Sequence, residues 1–181
     1  RYHGEGVRTV LVCCTDGAEG DIHNPAVVLA EGESLAQRRE GELGVATGII
    51  GYDEVVLLGY RDSGMPDSEA NAHPEAFWNA PLAEAVGRLV AVIRRERPQV
   101  VISYPDEQHE YPHPDHIRAH DIALAAFDAA ADPERYPEAG EAHEVAKLYY
   151  TVWPVERMRA MHEAYGELGM LSLIHISEPT R

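Results

Sequence analysis

The chain is 181 residues long, 45% hydrophobic and 25% charged, the size and balance of one globular domain with a sizeable core. Its 15 Lys and Arg against 31 Asp and Glu leave a formal charge of −16, which repels nucleic-acid backbones and anionic lipid and excludes both as expected partners. No apolar run approaches the roughly 20 residues that span a bilayer and no secretory leader opens the chain, so a cytoplasmic protein is expected, with Cys13 and Cys14 as small buried hydrophobes of a reduced compartment.

Residues 7–14 (VRTVLVCC) form a short β-rich apolar run closed by the turn-forming Thr15, Asp16 and Gly17. The pattern then predicts a helix from Ser34, as N-cap, to about Ile50, with Leu35, Leu43, Ala46 and Ile50 on its apolar side. A second strand, 54–58 (EVVLL), ends at Gly59, and a polar loop follows over 61–81. Leu82, Val86, Leu89, Val90 and Ile93 mark one face of the next helix. It ends in Arg94, Arg95 and Arg97, cations suited to the negative end of the helix dipole, and Pro98 stops it.

A third strand spans 100–103. A loop rich in His, Pro and acids leads to Pro114, well placed to start a helix that runs to about Ala131. Residues 147–153 (KLYYTVW) read as a fourth strand and 155–168 as a final helix. The tail, 171–181 (LSLIHISEPTR), breaks composition with that helix and reads as appended, non-native sequence. Strand–helix alternation predicts an α/β fold, a doubly wound, mainly parallel sheet with helices on both faces. The loops after strands one, two and three then gather at its carboxyl edge, where ligands bind.

Four of the ten histidines, His109, His113, His116 and His120, lie within twelve residues around the run Tyr111-Pro112-His113-Pro114-Asp115-His116. With Pro114 opening a helix, His116 falls in its first turn and His113 just before it, so both imidazoles can face the cleft. Imidazole is a common zinc ligand, and one ring with a carboxylate partner is a competent acid or base. Asp115 is close enough to orient a neighbouring ring. Other readings stay open: His116 and His120, four residues apart, share a helical face and suit a metal pair, and histidines at a helix start also serve as caps.

The Y-P-H-P-D-H run resembles the second motif of the LmbE-like (PIG-L) zinc deacetylases, and the similarity extends over 7–170. DGAEGD at 16–21, R-R-E at 38–40, G-Y-R-D-S-G at 59–64 and AAFDAAADPERYPEAG at 125–140 look like the mycothiol S-conjugate amidases of that family. H-P-D-H and R-D-S-G are shared with the deacetylase of mycothiol biosynthesis. The resemblance implies one domain over residues 1–170, with zinc as cofactor and His116 as a zinc ligand. His113 would be the general acid, or polarise the scissile carbonyl, held by Asp115, with Tyr111 reaching the oxyanion. Arg39 and Asp62 match positions that anchor the hydroxyls of a glucosamine-inositol unit. The blander readings are a turn-initiating Asp62 before Ser63 and Gly64, and an ion pair of Arg39 with Glu40 or Glu42.

The family also carries an early A-H-P-D-D-E motif after its first strand, which supplies the other metal ligands and the general base. Nothing ahead of Val7 matches it, so a chain incomplete at its N-terminus, with the first strand of the sheet missing, is expected. The expected activity is cleavage of the cysteinyl-glucosamine amide of mycothiol S-conjugates, with a small-molecule pseudo-disaccharide thiol conjugate as partner. The alternatives are deacetylation of N-acetylglucosaminyl-inositol, or a metal-free sugar-binding or regulatory homologue.

Overall fold

A computed structural model describes residues 2–107, 112–152 and 154–169, divided into two units, 1–150 and 151–181. In the first unit, β1 (Val10–Thr15) pairs in parallel with β2 (Glu54–Tyr60), in the register Val10↔Glu54 to Cys13↔Leu57. The register then slips to Thr15↔Tyr60. The slip occurs at Gly59, whose φ of +75° suits a residue without Cβ. The sequence placed the strand end at Gly59; instead the glycine makes a bulge, and the strand runs on to the buried Tyr60. At the other end of the pair, the Asp53 carboxylate accepts from the Thr9 amide at 2.7 Å, which starts the two strands together.

Between these strands, α1 (Leu35–Ile50) begins at Ser34 with a reciprocal capping box to Gln37 and ends at the left-handed Gly51. Its expected apolar side is only partly realised. Leu35 and Leu43 are half-buried and Thr47 is buried, whereas Ala46 and Ile50 are exposed.

The core lies around α2 (Leu82–Glu96) and α3 (Pro114–Ala131). Val86, Leu89, Val90 and Ile93 of α2 are buried as the periodicity predicts, and Leu82 is not. They pack with Ile122, Ala123, Ala126, Ala129 and Ala130 of α3, whose small side chains let the helices approach closely. Arg94, read from sequence only as a cation suited to the helix dipole, is 4% exposed. Its guanidinium donates to six carbonyls, those of Ala129, Ala130, Asp132, Arg135, Tyr136 and Gly140. It thereby satisfies the last turn of α3 and the loop beyond, groups that a helix end leaves unpaired.

β3 (Val100–Ser103) pairs in parallel with β4 (Lys147–Tyr150), Val100 opposite Lys147 and Ser103 opposite Tyr150. β4 stops short of the predicted end, and Trp153 lies outside the described residues. Among the described residues the two pairs do not hydrogen-bond into one sheet, and β3 alternates in burial, with Val100 and Ile102 exposed. The mixed α/β fold with parallel strands and intervening helices is thus as expected, in two two-stranded pieces. The second unit contains α4 (Val155–Glu167), none of whose residues is buried. No described helix is long and apolar enough to cross a membrane. The tail 171–181 lies outside the described residues.

Candidate active site

The loops after β1, β2 and α3's entry converge through hydrogen bonds. Asp16, just past β1, accepts at Oδ1 from the Ala18 amide at 3.1 Å and the Asp62 amide at 3.0 Å. Asp62 turns its own loop by accepting from the Gly64 amide at 2.8 Å. The turn-forming role foreseen for Asp62 is therefore real, and it leaves the carboxylate at the centre of the cluster. Ser63 is fully buried. Its amide donates to Asp115 Oδ2 at 3.2 Å, and its Oγ accepts from the Trp78 amide at 2.9 Å.

On the helix side, His113 caps α3: its Nδ1 accepts from the Asp115 amide at 3.2 Å, and Pro114 takes the first helical position. A neutral ring that accepts at Nδ1 carries its proton on Nε2. One ligand atom from each of Asp62, His113 and Asp115 lies within 4.8 Å of the others. Asp115 is 8% exposed, and its Oδ1 is buried without a hydrogen-bond partner among the described residues. Burial pushes the Asp115 carboxyl pKa up and the Asp62 charge adds to the rise, while hydrogen bonds from Ser63 oppose it. Two carboxylates beside imidazoles, one of them with a buried oxygen unmatched among the described residues, are donors a divalent cation takes, so these residues fit a metal.

His116 lies beside this trio, its ring centroid 5.2 Å from that of His113. Burial, reinforced by His113, lowers its pKa, which favours the neutral ring that ligates metals. Tyr104 stacks on it. His120, the other half of the proposed i, i+4 pair, is buried and directs Nδ1 at the Tyr104 carbonyl, 2.9 Å away. That makes it a structural histidine in this arrangement.

Arg39 is not brought into the cluster. It lies on α1 over the 16–21 loop, with Nη2 3.5 Å from the Asp21 carbonyl and Nη1 3.7 Å from Glu42. Of the two ion pairs left open in the sequence, the one with Glu42 forms. Tyr111 and His109 fall outside the described residues. Sequence reasoning missed Ser63, Tyr104 and the linking role of Asp16. The available signal was position, since Asp16 and Asp62 follow adjacent strands and Ser103-Tyr104 ends the third. Cys14, beside Cys13 and Asp115, is pushed by burial to a pKa of about 12 and is no nucleophile at neutral pH.

An α/β scaffold with Asp and His side chains gathered where the strands end offers a candidate metal site of the kind hydrolases use. The chain belongs to the GlcNAc-PI de-N-acetylase (PIG-L) family, whose pattern matches residues 1–127. It is 47% identical over 176 residues to a 1D-myo-inositol 2-acetamido-2-deoxy-alpha-D-glucopyranoside deacetylase of Geodermatophilus obscurus, a match covering 93% of this chain and 60% of that one. The chain thus spans about three fifths of the length of that relative. Among solved structures it is similar to the conserved protein TT1542 of Thermus thermophilus, with 26% identity and a TM-score of 0.59, covering 92% of this chain and 69% of that one. It shares its fold with the N,N'-diacetylchitobiose deacetylase of Pyrococcus horikoshii, at 20% identity and a TM-score of 0.63, covering 95% and 63% of the two chains.

Proposed function

We propose that this chain carries part of the site of a zinc-dependent de-N-acetylase that hydrolyses the acetamide of N-acetylglucosaminyl-inositol to the free amine and acetate. The observation that carries this reading is the convergence of Asp62, His113 and Asp115, with Asp115 Oδ1 orphaned among them. The relative's name supplies the substrate class and reverses the order of substrates expected from sequence, where the conjugate amide came first.

Zinc, when bound, supplies Lewis-acid polarisation of the amide carbonyl. His116 would hold it, with the Asp115 carboxylate as the neighbouring donor and His113 beside the metal rather than on it. His113, whose Nδ1 accepts the helix-cap hydrogen bond, would polarise the scissile carbonyl through its Nε2–H or, as the imidazolium, hand a proton to the leaving nitrogen. Arg39 and Asp62 would take hydroxyls of the sugar or cyclitol, and Tyr111 would reach the oxyanion. The conjugate amidase remains the second reading because 125–140 resembles that subgroup, and it needs the same chemistry with a larger acyl group.

Two measurements test this on a chain of the full length of its relatives. His116→Ala should lose zinc, because it removes a ligand. His113→Ala should keep zinc and lose on the order of 10²–10⁴-fold in rate. Equal zinc loss in both would mean that the roles are assigned wrongly. Comparing kcat/KM on N-acetylglucosaminyl-inositol and on a bulky mycothiol S-conjugate decides the substrate, and a preference for the conjugate would overturn the deacetylase reading.

A further inference from the structure

The segment that ends β3 is tied to α3 at three successive levels. Ser103 Oγ donates to the Ala119 carbonyl at 3.4 Å. The Tyr104 carbonyl meets His120 Nδ1 at 2.9 Å. The Tyr104 ring lies face to face with His116, at 4.1 Å between centroids and 8° between planes. His120 is itself held from the other side, its ring 5.1 Å from that of Tyr150 on β4.

The two histidines are one helical turn apart, so they project from the same face of α3 onto the same residue. His120 grips the main chain of Tyr104, and the side chain of Tyr104 then fixes the plane of His116. An imidazole nitrogen presents its lone pair in the ring plane. Whatever fixes the plane therefore restricts the direction in which that nitrogen can coordinate.

We infer that Tyr104 and His120 are positioning residues, which act through a stacked ring and a main-chain hydrogen bond to preset the His116 imidazole for a divalent metal. This rests on the reading of His116 as a metal ligand. Neither residue need touch substrate or metal. Stacking, unlike a hydrogen bond to the ring, orients the imidazole without using either nitrogen. It also needs only an aromatic face, so phenylalanine should replace tyrosine at position 104 and leucine should not.

The test uses the full 181-residue chain and two readouts. The first is metal-free. In proton NMR the His116 ring resonances should lie upfield through the ring current of Tyr104, stay there in Tyr104→Phe, and return toward ordinary histidine values in Tyr104→Leu. The second is Co(II) titration, with affinity read from paramagnetic broadening of the His116 resonances and, for variants without that ring, from the cobalt absorption bands. Tyr104→Leu and His120→Asn should each weaken Co(II) binding by roughly tenfold, and Tyr104→Phe should restore it.

If His116→Ala binds Co(II) as tightly as the parent chain, the liganding role fails and the positioning role falls with it, even where the NMR shift is present. If His116→Ala abolishes binding while Tyr104→Leu and His120→Asn bind normally, the ligand stands and the positioning inference alone is overturned. An unshifted His116 ring in the parent chain also overturns it.

Discussion

Arg94 offers the clearest quantitative test of how this scaffold is held. Its five N–H groups make six contacts, from 2.6 Å to the Tyr136 carbonyl to 3.2 Å to those of Ala130 and Gly140, so at least one N–H is shared. No carboxylate appears among these partners. The cation is held by main-chain dipoles at the negative end of α3. Arg94→Met keeps much of the apolar stem but strands up to six carbonyls, each with a net hydrogen-bond contribution of about 0.5–1.5 kcal/mol. Relief of the buried charge's desolvation offsets part of that loss, as replacement of buried ionic groups by apolar ones shows. A net destabilisation of about 3–5 kcal/mol follows, or roughly 6–20 °C in Tm for a chain of this size. Urea and thermal unfolding measure it, and amide exchange should show the 132–140 loop released first. Arg94→Lys, with three donors on a point charge, should recover less than half. A loss below about 1 kcal/mol for the methionine variant, or a rigid 132–140 loop in it, would refute the carbonyl-cage account.

Gly64→Ala should destabilise the chain by about 1–3 kcal/mol in urea unfolding and weaken metal binding. The residue sits at φ +62°, and a Cβ there would come within 2.9 Å of Ser68 Oγ and 3.0 Å of Ala70 Cβ. For Asp115, the raised carboxyl pKa means that the folded state binds more protons than the unfolded one, so its contribution to stability falls as pH rises from the ordinary carboxylate value through the raised one. Metal-free Asp115→Asn should lack that decline, and an unchanged stability profile would refute the assignment. Glu96 has the opposite sign. Hydrogen bonds from Arg95 and Arg8 lower its pKa, so its contribution is lost as pH falls below the ordinary carboxylate range, and Glu96→Gln should flatten the acid limb of unfolding.

Elements whose identity depends on short-range pattern were legible in the sequence. The Val, Ile and Leu spacing of α2 predicted its buried face, Ser34 set the start of α1, and Pro114 set that of α3. Elements that depend on what packs against them were not. Ala46 and Ile50 lie on the predicted apolar side of α1 yet are exposed, because amphipathic spacing says which face can be buried, not whether a partner covers it. Gly59 read as a strand end because glycine interrupts an apolar run in the same way whether the strand stops or bulges. The cations at the end of α2 fitted a helix-dipole reading, and only the arrival of the 132–140 loop turned Arg94 inward.

At the site the same division has a chemical basis. Residue types that carry chemistry, the His113, Asp115 and His116 group and Asp62, announce themselves because imidazoles and carboxylates cluster closely in short motifs after the strands. Residues that place them do so largely through bonds in which at least one partner is a main-chain atom, which every residue supplies. Ser63 donates its amide to Asp115, Asp16 receives the amide of Asp62, and Tyr104 receives His120 at its carbonyl. No residue-type pattern encodes those bonds, since they arise from how far each strand runs before it turns. The bulge at Gly59 shows how the two levels meet. By shifting the register beyond Cys13 it brings Tyr60, and with it Asp62 and Ser63, level with the end of β1. Without that added residue the alternation of β2 would point Asp62 to the opposite side of the strand. The acidic residue that sequence motifs single out therefore reaches Asp115 and His113 only because a glycine, chemically silent in itself, precedes it by three positions.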